Sequence, residues 1–235
     1  MKVEVWSDIV CPWCHIGKRR LEAALSRFGH RDEVEVTWRS FELDPSAPQL
    51  LTGSLVDHLA GKYGVLPAEA QQMHDAMTAV AAGDGLAFRF DRARSGNTFD
   101  AHRLLHLAAE HGRQDAVKER LLTAYLSEGE PIGDAETLVR VVSEVGIDAG
   151  AARELLAGDR YADAVRSDER EAAALGATGV PFFVVDRRYA IAGAQSADVL
   201  LQVLDRAWTD THAAALTYAS PSGASAGCDD GSCAV

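Results

Sequence analysis

Two cysteines, Cys11 and Cys14, enclose Pro12 and Trp13 in "SDIVCPWCHIGKRRLE" (residues 7–22), close behind the alternating run "KVEVW" (2–6). Alternation with β-branched residues is the period of a strand. Beyond the cysteines, Leu21, Ala24, Leu25 and Phe28 recur at the spacing of one helix face. The pair therefore falls where a strand hands over to a helix. Unpaired N–H groups and the helix dipole favour negative charge at a helix N-terminus. Cys11 is thus placed to be a thiolate, and thiols in such settings titrate below the free value of about 8.5. Pro12 suits the first helical turn, where its missing N–H has no partner to lose. Cys14, one turn on, faces the same way and is placed to attack a mixed disulfide at Cys11. Trp13, between the two, is expected to be exposed and to shape the substrate contact surface.

"EVEVTWRSFEL" (33–43) alternates again, with Val34, Val36 and Trp38 on one side. Strand, helix and strand in this order form a βαβ unit when the strands are parallel neighbours. From about Pro45 to about Asp163 the apolar residues repeat at helical spacing instead, as in Leu138, Val141, Val142 and Val145, or Val117, Leu121 and Tyr125. Pro67, Gly83, Gly112, Pro131 and Gly146 punctuate this stretch into a bundle of about five helices. An amphipathic helix then leads into "GVPFFVVDRRYAIAG" (179–193), two short apolar runs around "DRR" that signal a hairpin. A last helix turns Leu200, Val203, Leu204 and Ala207 inward. Residues 213–227, "AAALTYASPSGASAG", have linker composition. The expected fold class is α/β, a thioredoxin fold interrupted by an all-helical insertion domain. Residues 1–44 and 164–212 make the discontinuous core, 45–163 the insertion, and 213–235 a flexible tail that contains two cysteines.

The chain is 47% hydrophobic and 25% charged over 235 residues, ordinary globular composition with length for one or two cores. A net charge of −12 repels phosphate backbones, so nucleic acid is not an expected partner. Nowhere do about twenty apolar residues run together. "MKVEVWSDIV" lacks the apolar segment and small-residue cleavage site of an export signal. The expected location is the cytoplasm, away from membranes, where disulfides are usually transient, catalytic or sensing. The four cysteines fall in two local pairs, Cys11/Cys14 and Cys228/Cys233.

Near the end, in "GATGVPFFVV", Val180–Pro181 opens an apolar strand. Proline is tolerated at a strand start, and X–Pro bonds are those that adopt the cis form. In a thioredoxin core this loop lies beside the Cys-x-x-Cys, where the Val180 backbone pairs with an extended substrate segment as an added strand. Together, "SDIVCPWCHIGKRRLE", "SGNTFDAHRL" (95–104) and "GATGVPFFVV", in this order and separation, resemble the DsbA-like thiol–disulfide oxidoreductases, in particular the FrnE-type branch. The resemblance implies Cys11 as attacking thiol, Cys14 as resolving thiol and Pro181 as the cis-proline beside them. It also implies that Asn97 and His102 lie towards the active-site cleft. Trp13 stands where periplasmic DsbA enzymes carry histidine, so their strongly oxidising potential is not implied.

The remaining residues carry alternatives. His15 supports the Cys11 thiolate through its local field, or is an ordinary, partly exposed histidine. Lys18, Arg19 and Arg20 help hold a thiolate, or form a solvated helix face. His102 and His106 stand at a spacing metals use, but "RLL" between them lacks the glutamate of a zinc-protease helix, and a structural role is favoured. The tail pair, Cys228 and Cys233, exchanges electrons with Cys11/Cys14 as an accessory redox pair, or is incidental. The linker before it spans on the order of 20–25 Å, and the resemblance favours the active role. Three rival functions remain: a module binding one zinc ion through all four cysteines, a c-type haem site read from "CPWCH", and a glutathione-using small-molecule isomerase or transferase of the same fold. The expected function is a thiol–disulfide oxidoreductase or isomerase with no cofactor and no metal. Its partners are protein thiols and disulfides, with glutathione or a thioredoxin-type protein as redox partner.

Overall fold

A computed structural model describes residues 1–212. Strand β1 (Lys2–Ser7) leads through a short loop to α1 (Pro12–Arg27) and then β2 (Glu35–Ser40). Helices α2 (Leu55–Tyr63), α3 (Pro67–Gly83), α4 (Phe99–Glu110), α5 (Gln114–Thr123), α6 (Ala135–Ser143) and α7 (Ala149–Ala157) follow. The chain then returns through α8 (Ala162–Ala174), β3 (Phe182–Val185), β4 (Tyr189–Ala192) and α9 (Ala197–Thr211). The expected alternation of strand, helix, strand, helical run and hairpin is thus present, with six α-helices rather than about five between β2 and α8.

The four strands form one sheet in the order β2-β1-β3-β4. β1 runs parallel to β2 and antiparallel to β3. Alternation divides the side chains between two faces. Val3, Val5, Trp38, Phe183 and Val185 pack with Leu21, Ala24 and Phe28 of α1 and Leu200, Leu204 and Ala207 of α9. Trp6, Phe182 and Val184 pack on the other face with Ala172 of α8. A third core joins α3 to α7 and takes in Ile9 and Ile16 from either side of the cysteines. The helical run is therefore seated on the start of α1.

β2 is shorter than the alternation of 33–43 suggests. Arg31–Glu33 form a 3-10 turn. At the other end, the Glu42 and Leu43 N–H groups donate to the Glu169 and Asp8 carboxylates rather than to a strand ladder. The hairpin turns at Asp186 and Arg187, both with positive φ (47° and 57°). They are the central residues of a turn closed by the Arg188 N–H donating to the Val185 carbonyl (3.0 Å), within the three-residue loop between β3 and β4. Arg187 is held there by ion pairs to Glu4 and Glu171. Among the described residues no helix is long and apolar enough to cross a membrane.

Register sets the neighbourhood of the cysteines. Trp6 pairs with Phe182, so the loop leaving β1 and the Val180–Pro181 step entering β3 end at the same edge of the sheet. α1 approaches this step closely at Gly17. A Cβ there would stand 2.8 Å from Pro181 Cγ and 3.3 Å from Phe183 Cζ. Gly17→Ala is expected to destabilise the fold by about 1–3 kcal/mol, the usual cost of overpacking, and to slow thiol exchange by displacing Pro181. Gly29→Ala, with nothing within 4 Å of its Cβ, is the control. Urea midpoints separate the two, and equal midpoints would contradict the packing argument.

Candidate active site

Cys11 occupies the N-cap of α1 in extended geometry (φ −92°, ψ 112°), and Pro12 takes the first helical position. No side chain caps this end and no acidic residue sits in the first turn. The N–H groups of this first turn are therefore left uncapped at the end of α1 that carries Cys11. Cys11 is 4% exposed, Cys14 is fully buried, and both are free thiols. The Val180–Pro181 bond is cis, and Cys11 Sγ lies 3.6 Å from the Val180 carbonyl oxygen. Pro12 is half-buried, and Trp13 is 40% exposed at the rim. Cys11, Pro12, Trp13, Cys14, Val180 and Pro181 thus converge. Cys228 and Cys233 lie outside the described residues.

The two thiols ionise as a unit. Cys11 is held well above the ordinary thiol value by its hydrogen bond to Cys14, by burial and by repulsion between the two sulfurs. Burial pushes Cys14 upward as well. The neighbouring Cys11 thiol, the Lys118 ammonium and the Asp8 N–H outweigh it and lower Cys14. Cys11 is therefore the harder of the two to ionise and Cys14 the easier, while the Cys11 thiol donates to the Val180 carbonyl oxygen.

Beneath the dithiol lie charged side chains brought from distant elements. Asp8 is fully buried. It accepts hydrogen bonds from the Ile9 N–H (2.7 Å), the Leu43 N–H (2.8 Å) and His102 Nε2 (3.2 Å). Burial alone would raise its carboxyl; the bonds from His102 and Leu43 outweigh that and lower it. Burial pushes His102 below the ordinary histidine value, so the ring is neutral near pH 7 and donates its Nε2–H to Asp8. Tyr125 sits in a π-helical turn, Ala124–Glu128, that follows α5. Burial drives its phenol up to about 12, with the Asp8 and Cys11 charges adding to the effect.

Other expected site residues are placed differently. His15 is not partly exposed: it is 1% exposed, stacks on Phe88 at 5.8 Å, and meets Glu119 of α5 through Nε2 at 3.2 Å. Its Nε2 is thus engaged by the Glu119 carboxylate, in a setting unlike that of a haem ligand. Lys18 is not on a solvated face. It is 2% exposed and paired with Glu22, Asp115 and Glu119, while Arg19 pairs with Glu22 and Glu119. Asn97 turns from the sulfurs to cap α4, its Oδ1 accepting from the Phe99 N–H at 2.9 Å and its Nδ2 donating to Pro45 O at 3.4 Å. His102 and His106 do not share a ligand: His106 turns to Ser40 Oγ (3.1 Å) and Asp168 (3.3 Å). Among the described residues no cluster of three or more His, Cys, Asp or Glu is arranged to hold a metal.

With this geometry the chain is assigned by comparison. The model of the DSBA-like thioredoxin domain matches residues 2–205, and the chain belongs to that family. A probable DsbA oxidoreductase from Streptomyces coelicolor is 47% identical, superimposes with a TM-score of 0.87, and shares 95% of this chain and 97% of its own. The uncharacterized protein YwbO of Bacillus subtilis is 29% identical over 84% of this chain and 92% of its own. The cytosolic disulfide reductase DsbM from Pseudomonas aeruginosa, with GSH, shares the fold at 20% identity, with a TM-score of 0.60 over 90% of this chain and 98% of its own.

Glu119 links the site to stability. Burial would raise its carboxyl, but His15, Arg19 and Lys18 hold it far below the usual carboxylate range. A carboxylate with a depressed folded pKa contributes stability that is present above its unfolded value of about 4.3 and lost as pH falls through the folded one. Glu119→Gln is expected to lower unfolding stability by about 1.5–3 kcal/mol at pH 7. The gap from wild type should narrow below about pH 4. Urea unfolding at both pH values tests this, and a gap that is absent at pH 7 or widens in acid would contradict it.

Proposed function

We propose that this chain is a cytoplasmic thiol–disulfide oxidoreductase that exchanges disulfides with protein substrates through Cys11 and Cys14. The observation that carries the reading is the buried dithiol at the mouth of α1, with the Val180 carbonyl 3.6 Å from Cys11 Sγ. Cys11, the more exposed of the two, gives its proton to Cys14 and attacks a substrate disulfide as the thiolate. A Cys11–substrate disulfide forms and the first substrate thiolate leaves. Cys14 passes its proton to the departed substrate thiolate and attacks Cys11 Sγ, which frees the second substrate thiolate and closes the Cys11–Cys14 disulfide. Two electrons pass to the substrate. A thiol reductant, either glutathione or a dithiol protein, returns them, and run backwards the same steps oxidise a substrate dithiol.

An extended substrate segment pairs with the Val180 backbone as an added strand, while Trp13 and Pro12 contact its side chains. Asp8, His102 and Tyr125 set the polarity of the chamber. Asn97 acts on it indirectly, by fixing the start of α4, which carries His102. The acidic surface favours peptide or small thiol substrates over nucleic acid. Cys228 and Cys233 serve as an accessory pair that exchanges with Cys11/Cys14. The second reading is glutathione-linked chemistry on a small molecule, favoured by the shared fold with the reductase DsbM, described with GSH.

Cys14→Ser is expected to accumulate a mixed disulfide with protein substrates at Cys11, and Cys11→Ser to abolish exchange. Mass spectrometry after acid quenching checks both. Full turnover of a small-molecule substrate with glutathione by Cys14→Ser, with no trapped protein, would favour the second reading. Replacing Cys228 and Cys233 together by serine is expected to slow reoxidation of Cys11/Cys14, read by stopped-flow tryptophan fluorescence. Unchanged kinetics would remove their role.

A further inference from the structure

Lys118, on α5, is fully buried, yet among the described residues it forms no ion pair. Its ammonium has three donors, and the hydrogen bond the structure gives it goes to the Ser7 carbonyl at 3.1 Å. Lys18 makes the contrast. Both ammonium groups stand 5.8 Å from the Trp38 ring centre, but Lys18 is satisfied by three carboxylates. An ammonium taken out of water without a partner is costly, so a buried lysine is retained only where another charge compensates it. The charged groups that act most strongly on Lys118 come from three places in the chain. From α1 come Cys11, Cys14 and the like-charged Lys18; the loop after β1 brings Asp8 and α4 brings His102. Asp8 is already engaged by three donors, and His102 is neutral. Asp8 and the thiolate are the anions that face Lys118, and of the two the thiolate is the one that changes with the redox state.

We infer that Lys118 is the electrostatic counterpart of the dithiol, a positioning residue by which the helical segment between β2 and α8 sets how oxidising the Cys11/Cys14 pair is. The inference rests on the proposed function. In the reduced protein, one thiolate and one thiol face the Lys118 ammonium, which stabilises the reduced form. When a substrate disulfide is reduced, two electrons and the one thiol proton leave the pair, and the Cys11–Cys14 disulfide carries no charge. Lys118 then keeps only Asp8 as a facing anion and holds its own proton less tightly. Burial already sets that proton loss at about pH 8 in the reduced protein, so oxidation releases part of the Lys118 proton near neutral pH and reduction recovers it. Lys118 thus joins the insertion helices to the chemistry. Its neighbour Glu119 grips His15, Lys18 and Arg19 on α1 from the same turn.

The direct test uses the unaltered chain. Its four lysines are labelled with carbon-13 at Cε and titrated by NMR in the reduced and oxidised forms. Lys118 is expected to lose its proton at least one pH unit lower in the oxidised form, a tenfold change in proton affinity. Because such coupling is reciprocal, Lys118→Met is expected to raise the first thiol ionisation by at least one unit, read as thiolate absorbance near 240 nm. It should also move the equilibrium with glutathione tenfold towards the disulfide, about 30 mV for a two-electron couple. Equal Lys118 titration in the two forms would overturn the inference, even if the variant does not fold. So would an unchanged thiol titration in a folded Lys118→Met. A pair that never cycles, seen as a constant thiol count in oxidised and reduced glutathione, would instead overturn the proposed function.

Discussion

Two buried thiols held at the open N-terminus of α1 are the constraint on which the rest of the molecule depends. A thiol pair sunk in an apolar core would stay protonated and inert, because burial disfavours the charged form. Here the sulfurs stand at the uncapped end of α1, near the Asp8 N–H and the Lys118 ammonium. Those donors stabilise one thiolate in a site that water barely reaches. The strand register holds this arrangement in place. β1 delivers Ser7 and Asp8, the Trp6–Phe182 pairing brings Val180 to the same edge, and Gly17 lets α1 lie directly on Pro181.

The helices between β2 and α8 are part of that arrangement. α4 supplies His102 to Asp8, and α5 supplies Lys118 to the dithiol and Glu119 to the flank of α1. Ile9 and Ile16, on either side of the cysteines, are buried in the core those helices make. A thioredoxin sheet with α1 and α9 alone would leave Cys14 without its nearby cation and Asp8 without its histidine. In this family member the insertion reads as the wall and floor of the site.

Much of this was legible in the sequence. Strand alternation placed β1, the stripe Leu21, Ala24, Leu25 and Phe28 placed α1, and Cys-x-x-Cys between them marked one side of the candidate site; Val180–Pro181 marked the other. The charged floor was not legible as such, because its meaning is tertiary. Asp8 stands three residues before Cys11 and looks like a turn residue, and Lys18 reads as a surface lysine until three carboxylates are seen around it. One signal was present and unread. Lys118 lies at i, i+3, i+4 and i+7 with Leu121, Leu122 and Tyr125, so it sits inside the apolar stripe of α5 rather than beside it. A charge in such a stripe has to be answered by something within the fold. The six-helix count was missed because α2 and α3 bury few side chains, leaving a faint pattern; Tyr125 was read as a core position of the helical stripe, and its place near Asp8 and Cys11 is tertiary.

The central claim is that Cys11 and Cys14 exchange electrons reversibly rather than brace the fold. The most direct measurement equilibrates the protein across a series of defined glutathione redox buffers and counts the Cys11 and Cys14 thiols by mass spectrometry at each. The account predicts a single two-electron transition with a potential between about −270 and −120 mV, the span of known exchange enzymes. A pair that shows no transition, or one below about −300 mV as structural disulfides do, would contradict it.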